Sequence, residues 1–204
     1  MTKVKICGIR KLEDAVCARR SGADFIGLNF VRSSKRRVQI DVAQKIILEI
    51  RLNFKNRVKF VGVFQNQTED YVNMVAENLD LDYIQLHGQE SQKYASHMTK
   101  PVIKTFSLVA NFDVEEIDKK MKSYIVDYYL LDRKVQGEGE GLSLDKVKIL
   151  CLKYPVFLAG GLDGENVNKS INTARPFAVD VAGGVETEGR IDCQKVKKFI
   201  TNSN

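Results

Sequence analysis

The feature that most constrains the fold is a regular alternation of short apolar runs with amphipathic stretches along the whole chain. The apolar runs are short enough to predict strands, and the stretches between them have helical periodicity. Eight strands are predicted, at residues 4–7, 25–30, 60–64, 83–87, 102–106, 128–132, 156–159 and 178–182. Helices are predicted at residues 12–21, 42–52, 69–78, 92–97, 114–121, 144–152, 165–172 and 196–200. The repeat therefore indicates an α/β protein.

Two α/β architectures fit this alternation. Strands that are apolar throughout, such as residues 25–30, suit a parallel sheet that is covered on both faces. An open doubly wound sheet would usually carry Gly-x-Gly-x-x-Gly after its first strand, whereas here Gly8 is followed by Ile9, Arg10 and Lys11. Dividing the 204 residues by the predicted strands leaves about 25 residues per unit. We therefore predict a compact single-domain (β/α)8 TIM barrel over residues 1–204.

Composition and charge narrow the function classes only partly. A chain of 204 residues with 44% hydrophobic content supports one well-buried core. No apolar stretch approaches the roughly 18 residues that span a bilayer, so we expect a cytoplasmic protein without a membrane partner. The net charge of +6 is compatible with nucleic acid, with an anionic membrane surface or with a small anionic substrate. Because the lysines are spread over the predicted helices, a solvated helix surface is the simpler explanation, and we expect no nucleic-acid partner.

The cysteines divide into one candidate reactive thiol and three structural residues. No two of the four form a C-x-x-C pair, so we expect free thiols rather than disulfides or a zinc site. Cys17, Cys151 and Cys193 lie within or at the start of helical patterns, where a small buried side chain is the usual interpretation. Cys7 differs because it ends the first predicted strand, and barrels carry their chemistry at the carboxyl ends of the strands.

Glycine pairs follow the last two predicted strands. Gly160 and Gly161 come after the seventh strand, and Gly183 and Gly184 come after the eighth. In barrels these two loops commonly bind phosphate, because glycine lets backbone amides approach the oxygens. The alternative is that the glycines only form tight turns. A third glycine cluster at residues 137–141 predicts a loop that could close over a ligand.

Six short motifs occur in order along the chain: Lys5-Ile6-Cys7-Gly8-Ile9, Ser34-Lys35-Arg36, Gln85-Leu86-His87-Gly88, Leu130-Leu131-Asp132, Ala159-Gly160-Gly161-Leu162 and Gly184-Val185-Glu186. Together they resemble the phosphoribosylanthranilate isomerase family. The resemblance implies an Amadori rearrangement of a phosphorylated small molecule, N-(5-phosphoribosyl)anthranilate, in tryptophan biosynthesis. It also implies that neither a metal nor an organic cofactor is needed, and the two histidines are too few for a typical His-rich metal site.

The resemblance further implies roles for single residues. Cys7 would be the general base that removes the C2 proton, and Asp132 the general acid that protonates the furanose ring oxygen. Arg36 would bind the anthranilate carboxylate through two parallel hydrogen bonds. From their position at the end of the fourth predicted strand, rather than from the resemblance, we expect Gln85 and His87 to support the site through hydrogen bonds.

A role for Cys7 as general base requires surroundings that stabilise its thiolate form. A free thiol is mostly protonated at neutral pH, so a general base at Cys7 needs a nearby cation or a helix terminus. Arg10, three residues further along the chain, is our candidate for that cation.

The phosphate loops depart from the family pattern. Ala182 and Gly183 stand where two serines usually precede the final Gly-Val-Glu. We therefore expect Ala182, Gly183 and Gly184, with Gly160 and Gly161, to bind the phosphate through backbone amides without hydroxyl groups.

Two other functions stay open. One is a different sugar-phosphate isomerase on the same barrel, such as an aminoimidazole carboxamide ribotide isomerase. That chemistry would favour a carboxylate at the end of the first strand, where Cys7 stands. The other is a barrel without catalytic activity that binds nucleic acid or phosphorylated ligands, for which changes at Cys7 and Asp132 would be silent.

Overall fold

The protein folds as a closed barrel of eight parallel strands, and the computed structural model describes residues 1–54, 58–133 and 142–204. The strands are hydrogen-bonded in chain order, and the last pairs with the first. They are β1 Lys3–Cys7, β2 Phe25–Asn29, β3 Lys59–Phe64, β4 Tyr83–Leu86, β5 Val102–Leu108, β6 Tyr128–Arg133, β7 Val156–Leu158 and β8 Ala178–Val181. The helices are α1 Leu12–Ser21, α2 Ile40–Asn53, α3 Glu69–Asn78, α4 Gln92–Ser96, α5 Val114–Lys122, α6 Leu144–Cys151, α7 Val167–Ala174 and α8 Cys193–Asn202. A small hairpin, β9 Glu186–Thr187 and β10 Arg190–Ile191, precedes α8.

The predicted barrel is confirmed over the open sheet. The largest difference among the helices is at α8, which begins at Cys193 rather than at residue 196. The reason is a cap, since the Asp192 carboxylate accepts hydrogen bonds from the backbone N–H groups of Gln194 and Lys195. The cap lets the helix begin before the apolar residues that reveal its periodicity.

Side chains alternate between two apolar layers across the barrel wall. One layer lies inside the barrel and includes Phe25, Val61, Ile103, Leu130 and Phe157. The larger layer lies between the strands and the surrounding helices. Because successive strand residues point to opposite faces, the side chain of each polar strand residue points either into the barrel interior or towards the helices.

The expectation of free thiols is wrong for two of the four cysteines. Cys17 in α1 and Cys193 in α8 form a disulfide with their Cα atoms 5.9 Å apart. The two residues are 176 positions apart in the sequence, and they meet because closure of the barrel brings the first helix against the last. Cys7 and Cys151 are free.

The glycine cluster at residues 137–141, predicted to close over a ligand, lies outside the described residues. Across the described ranges, none of the helices combines the length and the apolar composition needed to cross a membrane.

Candidate active site

A cavity of about 550 Å³ opens at the carboxyl ends of the strands. Parallel strands in a barrel all end on this side, so residues far apart in sequence meet here. The cavity brings together every site residue predicted from the sequence: Cys7, Arg36, Asp132, Gly160, Gly161, Ala182, Gly183 and Gly184. Among the further polar residues of this wall, Arg133 and Asp180 had no role predicted from the sequence, and neither did Glu186, which binds Arg36.

Cys7 is the last residue of β1 and is 8% exposed. It stands opposite Gly27 of β2, where a Cβ atom would lie only 2.7 Å from the Cys7 sulfur. Glycine at this position therefore leaves the space that the thiol occupies. Lys5 lies two residues earlier on the same face of β1, fully buried, and its Nζ donates to Asp180 Oδ1 of β8 at 2.8 Å.

Two opposing effects act on the thiol. Burial raises the pKa of Cys7 above its ordinary value, and the positive charges of Lys5 and Arg36 oppose that rise. Burial alone would lower the pKa of Lys5, but Asp180 and Cys7 together outweigh burial and raise that pKa, which favours the charged ammonium. Burial therefore favours the neutral thiol of Cys7, while the ammonium of Lys5 beside it can stabilise a thiolate.

Arg10 does not supply that cation, which corrects the sequence-based expectation. Its Nη1 donates to the carbonyl oxygen of Lys35 at 3.0 Å, and its Nη2 donates to that of Gly189 at 2.5 Å. Lys5 takes the role instead. The strand periodicity of two could have identified it, because residues two positions apart on β1 share a face.

Asp132 lies near the end of β6, and its Oδ2 is 3.5 Å from His87 Nε2. The other ring nitrogen of His87 faces Gln85 Nε2 at 3.0 Å and Thr105 Oγ1 at 3.3 Å. When Gln85 and Thr105 donate to Nδ1, the hydrogen of the neutral ring is on Nε2 and points at the carboxylate. The expected supporting role of Gln85 and His87 thus has a geometric basis. Among the described residues, Asp132 Oδ1 is buried without a hydrogen-bond partner.

Arg36 is held by Glu186 of the small hairpin. Its Nε and Nη2 each donate to one Glu186 carboxylate oxygen at 2.7 Å. The aliphatic part of Arg36 crosses Gly8, where a Cβ would lie 2.7 Å from Arg36 Cδ, and this glycine has φ of 84°. Glu186 occupies one edge of the guanidinium, and Nη1 with the second hydrogen of Nη2 remains for another carboxylate.

The loops after β7 and β8 meet at one end of the cavity. Gly160 and Gly161 have φ of 94° and 82°, which favours glycine. A Cβ on Gly184 would lie 2.0 Å from the carbonyl oxygen of Leu162, so the second loop approaches the first within a distance only glycine allows. The arrangement presents glycine backbone to a ligand, as anion-binding loops do.

The chemistry that this arrangement supports is proton transfer on an anion. A thiol and a carboxyl group share one cavity, with an arginine at one side and glycine loops at another. Over residues 1–54, 58–133 and 142–204, no group of three or more His, Cys, Asp or Glu side chains is placed to hold a metal ion.

Comparison with known proteins shows a family to which nearly the whole chain is similar. The family model described as N-(5'phosphoribosyl)anthranilate (PRA) isomerase matches residues 4–202. An N-(5'-phosphoribosyl)anthranilate isomerase from Dehalococcoides mccartyi is 38% identical over 209 residues, covering 98% of this chain and 94% of the relative.

Two solved structures are similar over the whole barrel. Phosphoribosyl anthranilate isomerase from Thermotoga maritima has a TM-score of 0.89 and 34% identity, covering 100% of this chain and 98% of that one. A phosphoribosyl anthranilate isomerase in complex with reduced 1-(o-carboxyphenylamino)-1-deoxyribulose 5-phosphate has a TM-score of 0.85 and 32% identity, with the same coverage of 100% and 98%.

Proposed function

The chain belongs to the N-(5'-phosphoribosyl)anthranilate isomerase family, and we propose that Cys7 and Asp132 perform the proton transfers of its reaction. The reaction is the Amadori rearrangement of N-(5'-phosphoribosyl)anthranilate to 1-(2-carboxyphenylamino)-1-deoxyribulose 5-phosphate in tryptophan biosynthesis. The observation that carries the proposal is the single cavity that both side chains line, between the Arg36 guanidinium and the glycine loops.

Ring opening needs an acid. Asp132 donates a proton to the furanose ring oxygen while the bond from that oxygen to C1 breaks and the nitrogen lone pair forms a C=N bond. The acid must be protonated and held in place. His87, fixed by Gln85 and Thr105, faces one oxygen of Asp132 and orients the carboxyl group.

The second step needs a base. The thiolate of Cys7 removes the proton from C2, and the electron pair forms a C1=C2 bond and neutralises the iminium nitrogen. Protonation at C1 and loss of the proton from the C2 hydroxyl then give the ketone. Lys5 stabilises the thiolate, because its buried ammonium lies on the same face of β1.

Two anion sites would orient the substrate. Arg36 would bind the anthranilate carboxylate through the guanidinium edge that Glu186 leaves open. Gly160 and Gly161 after β7, and Ala182, Gly183 and Gly184 after β8, would bind the phosphate through their backbone amides.

The reaction class follows from the chemistry. Carbon C2 is oxidised from an alcohol to a ketone while C1 is reduced, so the enzyme is an intramolecular oxidoreductase of the aldose–ketose type.

We place the reaction in the cytoplasm, where phosphorylated biosynthetic sugars are retained. Disulfides are uncommon there, so we expect the Cys17–Cys193 bond to respond to cellular thiols.

The test is turnover of freshly prepared N-(5'-phosphoribosyl)anthranilate, followed by loss of anthranilate fluorescence. We expect Cys7→Ala and Asp132→Asn each to lower kcat by roughly 10²- to 10⁴-fold. Matched controls are Cys151→Ala, which removes the other free thiol, and Asp145→Asn, which changes an exposed carboxylate on α6.

The outcomes separate two conclusions. A wild-type protein that fails to convert the substrate would end the proposed function. Normal turnover by Cys7→Ala or Asp132→Asn would leave the isomerase function and remove that residue from the acid-base pair. Loss of activity in a control variant would show that the assay reports folding rather than proton transfer.

A further inference from the structure

Arg133 occupies a position in the cavity wall to which the reaction described above assigns no role. It ends β6, directly after Asp132, and lines the cavity. Its guanidinium lies against the loop after β7, because a Cβ on Gly161 would lie 3.0 Å from Arg133 Nη2. A Cβ on Gly160 would lie 2.5 Å from the Arg133 backbone nitrogen. The two glycines thus make room for the arginine at the phosphate loop.

One donor of this guanidinium has no acceptor among the described residues. Within the described part of the chain, Arg133 Nε is buried and has no hydrogen-bond partner. A buried N–H group of a charged side chain is costly when unpaired, and such groups almost always find a partner. Arg36, in the same cavity, has its Nε satisfied by Glu186 at 2.7 Å. An anion brought by the ligand would supply the acceptor that Arg133 Nε lacks.

The first three residues after β8 have no side chain that could donate to such an anion. They are Ala182-Gly183-Gly184, and only backbone amides are available from these residues. A guanidinium supplies a full positive charge and a planar fork that matches two phosphate oxygens. Arg133 can therefore contribute charge-assisted hydrogen bonds where these three residues have no hydroxyl groups.

We propose that Arg133 is a ligand of the substrate phosphate, acting together with the glycine loops after β7 and β8. The inference rests on the proposed function only for the identity of the phosphorylated molecule. The anion site itself would also bind inorganic phosphate, so it can be tested without turnover.

The first test is calorimetric titration of the wild type and of Arg133→Gln with inorganic phosphate. Loss of a charge-assisted contact should raise Kd by about ten- to a hundredfold. Arg133→Lys keeps the charge and loses the fork, so its Kd should lie between the two. Arg20→Gln removes the same charge from the exposed end of α1 and should leave Kd near the wild-type value.

The second test is kinetic. Arg133→Gln should raise KM for N-(5'-phosphoribosyl)anthranilate by a factor similar to that for phosphate and change kcat much less. Phosphate binding equal to wild type in Arg133→Gln would overturn the inference even if the enzyme is active. Arginine-dependent phosphate binding in a wild type that does not isomerise the substrate would preserve the inference and reject the proposed function. If circular dichroism shows that Arg133→Gln is unfolded, the Arg133→Lys variant decides alone.

Discussion

Two buried lysine–carboxylate pairs in this barrel have the same chemistry and lie on opposite faces of the sheet. Lys5 and Asp180 join β1 to β8, with Nζ and Oδ1 at 2.8 Å and side-chain exposures of 0% and 10%. Lys104 of β5 joins Glu90 with Nζ and Oε2 at 2.7 Å and exposures of 3% and 1%. Ile103, beside Lys104, belongs to the interior layer, so Lys104 itself points to the helix side.

The partners of the two pairs differ more than their distances do. Glu90 also accepts hydrogen bonds from the backbone N–H groups of Asn66 and Gly88, and Lys104 donates to the Gly88 carbonyl oxygen. The second pair therefore fastens the chain after β3 and after β4 into one unit. Asp180, in contrast, lines the cavity.

The two buried ion pairs therefore have different roles, one in stability and one in the chemistry of the site. A buried ion pair gains little net stability by itself, but removing one partner is expensive because the other is left uncompensated. The Lys104–Glu90 pair is surrounded by backbone groups and holds loops in place. The Lys5–Asp180 pair keeps a cation beside Cys7, and its expected effect is on proton transfer.

The largest expected effect is loss of stability in Lys104→Met. The substitution leaves Glu90 buried without its cation, and we expect the free energy of unfolding to fall by about 3–5 kcal/mol. Urea unfolding followed by circular dichroism measures it. The control is Lys120→Met, which removes an exposed lysine paired with Glu116 on α5 and should cost less than about 0.5 kcal/mol. Equal stabilities of the two variants would contradict a structural role for the Lys104–Glu90 pair.

The next effect is catalytic and concerns Lys5→Met. Without the ammonium, the pKa of Cys7 rises further and the thiolate fraction falls, so we expect kcat/KM at pH 7 to decrease by about 10²-fold. A base is active when deprotonated, and the pKa of Cys7 is raised. Activity should therefore increase with pH up to the ionisation of Cys7, and in Lys5→Met this increase should move to higher pH.

The comparison variants for this pH profile lie on the same strand and on the other buried pair. Lys3→Met removes an exposed lysine of β1 that is paired with Asp24, and should leave the profile in place. Lys104→Met, assayed where it is folded, should also keep the wild-type profile. Superimposable profiles for Lys5→Met and the wild type would show that Lys5 does not act on the thiol.

Much of the fold could be predicted from the sequence because the periodicity is local. Each strand and each helix carries its own apolar pattern, and the glycines mark where β7 and β8 end. The Cys17–Cys193 disulfide could not be predicted in the same way. It depends on which faces of α1 and α8 meet after barrel closure, and that is a property of the assembled barrel.

The same distinction between local sequence patterns and the assembled barrel applies to the residues of the site. Cys7 and Asp132 could be placed in one cavity because parallel strands end on one side of a barrel. Lys5, Arg133 and Glu186 received no role from the sequence. Lys5 shares a face of β1 with Cys7, Arg133 lies against the loop after β7, and Glu186 binds Arg36, which is 150 positions away in the sequence. Of these, Lys5 had the clearest signal, because it precedes Cys7 by two residues on β1.

The smallest expected effect concerns a third ion pair, Arg36–Glu186, which is partly exposed at the cavity rim. Arg36→Lys keeps the positive charge and loses the planar fork, so the open edge that would hold the anthranilate carboxylate disappears. We expect KM to rise about tenfold, or about 1.4 kcal/mol, with little change in kcat. Arg37→Lys, at the exposed neighbouring position, is the matched control. A kcat that falls while KM stays constant would mean that Arg36 acts mainly on Cys7, because its positive charge opposes the rise in the pKa of that thiol. Arg36 would then belong with Lys5 among the residues that stabilise the thiolate, rather than among those that bind substrate.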